Sequence, residues 1–254
     1  MEKLFLLDAY ALIYRSYYAL IRTPRINSKG LNTSAIMGFC NTLSEILNKE
    51  QPTYLCVAFD HGKTFRHEAF PEYKAQREET PEDIKASIPI IKDILRAYHI
   101  PILQVDGYEA DDIIGTVATK AGETGIETYM LTPDKDYGQL IKTNIYMYRP
   151  QHGGGYEKIG VNEIEQKYGI SSPAKVIDLL ALMGDTADNY PGCPGVGEKT
   201  AVKLINQFGS VENLIQRTNE LKGKIKEKVE GAIDNIKMAY FLATIKTDVP
   251  VDIK

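Results

Sequence analysis

Five short apolar runs punctuate the first 150 residues, and four of them end at carboxylates. LFLL (residues 4–7) runs into Asp8, TYLCVAF (53–59) into Asp60, IPILQV (100–105) into Asp106 and the acidic group GYEADD, and TYMLT (128–132) into PDKD, which supplies Asp134 and Asp136. The fifth, NIYMY (144–148), leads to a glycine turn at 153–155. Runs of this length, rich in β-branched and aromatic residues and bounded by turn signals, predict strands. Between them apolar positions recur at helical spacing over residues 9–20, 35–47, 84–98 and 112–121. Strand alternating with helix predicts an α/β fold with a mostly parallel sheet and flanking helices. Sites in open sheets of that kind collect beyond the carboxyl ends of the strands.

The pattern changes after the glycine turn. VNEIEQKYGI, SPAKVIDLLALMGD, AVKLINQF, VENLIQ and KGKIKEKVEGAIDNIKMAYFLATI all read as helices, so the C-terminal part is predicted to be all helical. Within it stands MGDTADNYPGCPGVGEKT (183–200), where Asp185 and Asp188 precede a turn built on Pro191, Gly192, Pro194, Gly195 and Gly197. The glycines open backbone conformations closed to other residues, and the prolines fix φ. A helix is predicted to start near Glu198, where free N–H groups and Lys199 would grip a phosphate. A plain helix–turn–helix link explains the turn alone equally well. A nucleotide-triphosphate loop is ruled out, because Glu198 separates Gly197 from Lys199.

Nine acidic residues fall into one chemical pattern: Asp8, Asp60, Glu109, Asp111, Asp112, Asp134, Asp136, Asp185 and Asp188. A lone Asp after a strand is usually a helix cap, but four strand ends are harder to explain that way. Glu109 and Asp112 are three apart at a helix start and share a face. Gathered carboxylates repel and need cations to stay ionised. Oxygen donors without nearby His or Cys select Mg²⁺ or Mn²⁺, and paired ions about 3.5 to 4 Å apart suit phosphodiester hydrolysis. The chain carries −4 as a whole, yet without these nine the remainder carries +5, so charge alone does not exclude a nucleic-acid partner.

The insertion at about 61–98 interleaves bases with aromatics: Lys63, Phe65, Arg66, Phe70, Tyr73, Lys74 and Arg77. Such interleaving suits single-stranded nucleic acid, with a solvated connection as the alternative. Lys222, Lys224, Lys226 and Lys228 read as a solvated helix face rather than a duplex patch. With 43% apolar and 25% charged residues over 254 positions, the composition is that of a globular protein. Three cysteines without paired spacing argue against a disulfide framework or zinc site, and no signal peptide or membrane span is visible, so a cytoplasmic location is expected.

LLDAYALIYRSYYAL, VAFDHGKTFRHEAFPEYKAQR, GYEADDIIGTVA, LTPDKDYGQL, LALMGDTADNYPGCPGVGEKTA and LATIKTDV resemble, in order, the motifs of the 5′-nuclease domain of bacterial DNA polymerase I, within the flap endonuclease family. The resemblance implies a PIN-like core at 1–169 with a helical arch over the site, and a helix–hairpin–helix (H3TH) region at 170–254 that binds duplex DNA, often through K⁺. It implies that the nine carboxylates are metal ligands, that Arg15, Lys74 and Arg77 contact the reacting phosphate, that Tyr73 stacks on a base, and that Gly192, Val196 and Gly197 form the hairpin. Gly195 and Lys199 join that hairpin, and Lys63 and Arg66 the DNA contacts. Ala9, Tyr190 and Cys193 depart from the usual pattern. The expected activity is metal-dependent 5′-3′ exonuclease and flap endonuclease action in DNA replication and repair, including RNA primer removal, with a linked polymerase portion as a further expectation. The alternatives are a non-catalytic junction-binding module and a PIN-type ribonuclease.

Overall fold

The computed structural model describes residues 2–252. A six-stranded sheet has the order β3-β2-β1-β4-β5-β6, with β1 at Lys3–Asp8, β2 at Tyr54–Ala58, β3 at Ile102–Leu103, β4 at Glu127–Leu131, β5 at Ile145–Pro150 and β6 at Tyr156–Ile159. All neighbours are parallel except β5 and β6. β1 is central and buried on both faces, which is why it reads as an unbroken apolar run. Phe5 and Leu7 face a layer formed by α1 (Ala9–Ala19), α2 (Ser34–Glu45) and α4 (Glu82–Ala97). Leu4 and Leu6 face α5 (Ala110–Glu123) and, beyond it, the C-terminal helices.

Two strands depart from expectation. The run at 100–105 keeps only Ile102 and Leu103 in the sheet, at its edge, where a single neighbour holds it. The glycine turn does not end the sheet: Gly153, Gly154 and Gly155 all take positive φ and return the chain as β6. The segment expected to arch over the site is helical only at α3 (Phe65–Ala69) and α4, and α4 lies on the sheet with Ile84, Ile91 and Leu95 in the core. Residues 70–81 between them lack regular helix.

Beyond the sheet come α6 (Val161–Tyr168), α7 (Val176–Met183), α8 (Glu198–Phe208), α9 (Val211–Gln216), α10 (Gly223–Gly231) and α11 (Ile233–Ala243). Between α7 and α8 a two-residue ribbon pairs β7 (Gly184–Asp185) with β8 (Tyr190–Pro191). One hydrophobic cluster runs from Leu4 and Leu6 through Leu180 and Leu182 to Leu204, Val229 and Ile236, so no gap separates sheet from helices. After α11 the chain doubles back onto α5. The Ile245 amide donates to Gln139 Oε1 at 2.9 Å, the Lys246 amide to Asp112 Oδ1 at 2.8 Å and the Val249 amide to Thr116 Oγ1 at 3.1 Å.

Candidate active site

The strand order reverses between β1 and β4, and the crevice beyond their carboxyl ends is where such a sheet offers a site. A cavity of about 800 Å³ opens there, lined by Asp8, Asp60, Glu109, Asp111 and Asp134 together with Lys74 and Arg77. Asp8 ends β1 and caps α1, accepting from the Ala11 amide at 3.1 Å and from the Tyr137 hydroxyl at 3.1 Å. Burial, and then the nearby Asp60, push its carboxyl up to about 7. Asp60 follows β2 and accepts from the Ala110 amide at 2.7 Å, which ties it to the start of α5. Glu109 is the cap of α5, and its oxygens take Lys74 Nζ at 2.8 Å and the Tyr73 hydroxyl at 3.0 Å. Burial works against its ionisation, but Lys74 and Arg66 outweigh that and hold it below the usual range. Asp111, facing the cavity, is pushed well up by burial.

A second group stands where the short 3₁₀ turn Lys135–Leu140 meets the β7–β8 ribbon. Asp134 caps that turn, accepting from the Asp136 amide at 3.0 Å. Asp136 is raised to about 7 by burial and by Asp134, and its Oδ1 has no hydrogen-bond partner. Lys135 Nζ bonds Asp185 Oδ2 at 2.5 Å, and against the opposing effect of burial it holds Asp185 below its ordinary value. Asp188 takes Arg77 NH2 at 2.5 Å and the Tyr73 hydroxyl at 3.0 Å. Residues 72–77 are latched to this loop by main-chain contacts as well: the Lys74 amide donates to the Asp188 carbonyl, and Asn189 Nδ2 to the Glu72 carbonyl.

Eight of the nine expected ligands thus gather around the cavity and the adjoining ribbon. Asp112 does not. It is wholly buried behind Glu109, with its oxygens taken by Arg66 at 2.7 and 2.8 Å and by the Glu109 and Lys246 amides. Three expected DNA or phosphate contacts are likewise placed elsewhere. Arg66 is 1% exposed and spends its remaining donors on the Leu242 and Thr244 carbonyls, so no phosphate reaches it. Tyr73 is buried with its hydroxyl between Glu109 and Asp188, which leaves no ring face for a base. Arg15 is exposed, but its guanidinium bonds the Gln151 carbonyl at 3.1 Å rather than turning to the cavity. Lys63 is exposed on the approach to α3.

The hairpin after the ribbon forms as a tight turn. The Cys193 amide donates to the Leu182 carbonyl at 2.8 Å, and a Cβ on Gly192 would lie 2.3 Å from the Gly184 nitrogen, so only glycine fits. Val196 is buried beneath the turn, while Gly195, Gly197 and Lys199 are exposed at the start of α8. Sequence reasoning passed over Lys135, Tyr137 and Thr132, whose hydroxyl donates to Asp8 Oδ2 at 3.4 Å. The signal for Lys135 was available, a base set between two candidate ligands.

The donor set fits hard divalent cations: oxygens only, several carboxyls raised by crowding, and one buried carboxylate oxygen without a partner. Among the described residues no three acidic, His or Cys side chains are drawn together as tightly as one ion would hold them. Lys74, Arg77 and Lys135 neutralise them instead.

Family models match nearly the whole chain. Residues 3–169 match the 5′-3′ exonuclease N-terminal resolvase-like domain and residues 171–254 its C-terminal SAM fold. The chain belongs to the 5′-3′ exonuclease family. The 5′-3′ exonuclease of Aquifex aeolicus is 37% identical over 254 residues, covering 100% of this chain and 85% of that protein. DNA polymerase I of Bacillus caldotenax is 43% identical over 256 residues, covering 99% of this chain but 29% of the polymerase, so the chain spans less than a third of such relatives. Among solved structures, a bacteriophage T5 flap endonuclease complex with DNA and metal ions superposes with a TM-score of 0.78 at 21% identity, over 97% of this chain and 90% of that one. The catalytic core of Rad2 with DNA substrate gives 0.60 at 19% identity, over 97% and 81%. At these identities the two likenesses show a shared fold.

Proposed function

We infer that the chain is a structure-specific 5′-3′ exonuclease and flap endonuclease that hydrolyses DNA phosphodiester bonds near single-strand/duplex junctions. The observation that carries this reading is the meeting of Asp8, Asp60, Glu109, Asp111 and Asp134 in one cavity together with Lys74 and Arg77. These carboxylates, with Asp136, Asp185 and Asp188 beside them, would hold Mg²⁺ or Mn²⁺, which would supply counter-charge for the phosphate and lower the pKa of water. The chain's own part is positional. Lys74 and Arg77 leave Glu109 and Asp188 to meet the scissile phosphate, and their charge stabilises the transition state. The exposed turn at Gly195, Gly197 and Lys199 grips duplex phosphate at the start of α8, with K⁺ as a further ligand of the turn. The division of labour follows the two parts, 1–169 cutting and 170–254 gripping.

Relatives named DNA polymerase I support a setting in replication and repair with a polymerase portion as covalent partner, and RNA primers as substrates extend that reading. A cytoplasmic setting is supported by Cys40, Cys56 and Cys193, all free thiols. Among the described residues no helix is long and apolar enough to cross a membrane. The deciding experiment is a 5′-flap cleavage assay in Mg²⁺ and in EDTA, with products sized at nucleotide resolution. Product that depends on Mg²⁺ and falls near the junction is expected. Junction binding without such product would overturn the reading in favour of a binding module.

A further inference from the structure

The β7–β8 ribbon sets Asp185 directly opposite Tyr190, and residues directly opposed in an antiparallel pair carry their side chains on one face. Tyr190 is 4% exposed, and its hydroxyl has no hydrogen-bond partner. Among the described residues one other buried side-chain atom lacks a partner, Asp136 Oδ1. Burial, and then the nearby Asp136 and Asp185, hold the Tyr190 hydroxyl well above its ordinary value. Lys135 joins the two carboxylates, reaching Asp185 Oδ2 at 2.5 Å and Asp136 Oδ1 at 3.7 Å, so the orphaned hydroxyl stands opposite one member of this ion-paired set and the orphaned oxygen belongs to the other.

Buried polar atoms without partners are few in folded proteins and call for an explanation. A packing role for the ring accounts for its burial but leaves the hydroxyl and the Asp136 oxygen unexplained. A water brought in with a bound cation would pair both, while without the cation the two oxygens stay unpaired. A water in the hydration shell of a divalent cation has its lone pair engaged and two hydrogens to give, and two acceptor oxygens are what it needs.

We propose that Tyr190 is a positioning residue for a hydrated divalent cation held by Asp136 and Asp185, its hydroxyl and Asp136 Oδ1 accepting the two hydrogens of one water in that cation's shell. The cation takes over the neutralising role that Lys135 plays in its absence. Tyr190 acts through this water and touches neither the phosphate nor the nucleophile. The inference rests on the reading of the acidic cluster as a cation site.

The test is a titration of the whole chain with Mn²⁺, following the free ion by electron paramagnetic resonance, for the parent protein, Tyr190→Phe and Asp185→Asn, with metal-free melting temperatures alongside. Tyr190→Phe keeps the ring and removes only the hydroxyl. One class of Mn²⁺ sites is expected to weaken about 10-fold, the scale of losing a group that orients a metal's ligands. The metal-free melting temperature is expected to stay level or rise, since no hydrogen bond is lost. In the flap assay the Mn²⁺ concentration for half-maximal rate is expected to rise while kcat at saturating metal holds. Unchanged Mn²⁺ affinity in Tyr190→Phe, or a lower metal-free melting temperature, would overturn the role of the hydroxyl alone. A parent protein that takes up no Mn²⁺, or an Asp185→Asn protein that binds like the parent, would overturn the cation site itself.

Discussion

Burying a guanidinium against a carboxylate costs desolvation that attraction alone does not recover, and Arg66 tolerates it because its donors reach Asp112, Glu109 and the Leu242 and Thr244 carbonyls. Removing either partner strands a charge. Arg66→Gln or Asp112→Asn is expected to lower stability by about 3–5 kcal/mol in urea titrations. Lys74 and Arg77 belong to a different category, since their carboxylate partners are the expected cation ligands. Lys74→Ala or Arg77→Ala is expected to cut single-turnover flap cleavage by about 10²–10³-fold, the scale of losing a preorganised charge. Burial first, then neighbouring carboxylates, push Asp8 and Asp136 up to about 7 in the folded chain, against an ordinary 3.8. Over that interval the native chain holds protons the unfolded chain has lost, so metal-free stability falls as pH rises from about 4 to about 7 and levels off above. Glu109 and Asp185, held low, contribute stability that is lost only as pH falls below about 4. Melting curves in EDTA between pH 4 and 8 should show the neutral-side fall, and saturating Mg²⁺ should remove it.

At the scale of elements, the ribbon and hairpin depend on a backbone approach that only two glycines allow. A Cβ on Gly192 would meet the Gly184 nitrogen at 2.3 Å and the Leu182 carbonyl oxygen at 2.5 Å. Gly192→Ala is therefore expected to cost about 1–3 kcal/mol and to weaken duplex binding by displacing the turn, which calorimetry and a duplex-binding titration would register. The strands that carry ligands were legible because central parallel strands are buried on both faces and so read as apolar runs. β3 was overcalled because its run, 100–105, leaves the sheet after two residues. β6 was missed because YEKI alternates only weakly and its partner was read as the last strand. Arg66 and Tyr73 were misplaced for a shared reason: a basic or aromatic residue in a long connection looks exposed until the C-terminal strands and loops that bury it are known. Nothing local signalled that Lys246 and Val249 would return across 134 and 133 residues to bond Asp112 and Thr116.

For the whole molecule, that return matters more than any boundary between sheet and helices. Ile245 packs against Gly115, where a Cβ would meet its methyl at 2.8 Å, and a single apolar cluster spans both parts. Circular dichroism and tyrosine fluorescence should therefore report one coincident urea transition, and cutting the chain after Ala243 should destabilise the sheet as well as the helices. The three cations lodged among the acids have a consequence that reaches past stability. Lys74, Arg77 and Lys135 act as a resident counter-ion set, so loading divalent ions is an exchange of charge rather than a capture. A phosphate that draws Lys74 and Arg77 toward itself vacates Glu109 and Asp188 for the ions, and linkage requires the reverse effect to be equally large. Each ligand is thus expected to raise the other's affinity, so that divalent ions enter the free protein but are held more tightly once DNA arrives.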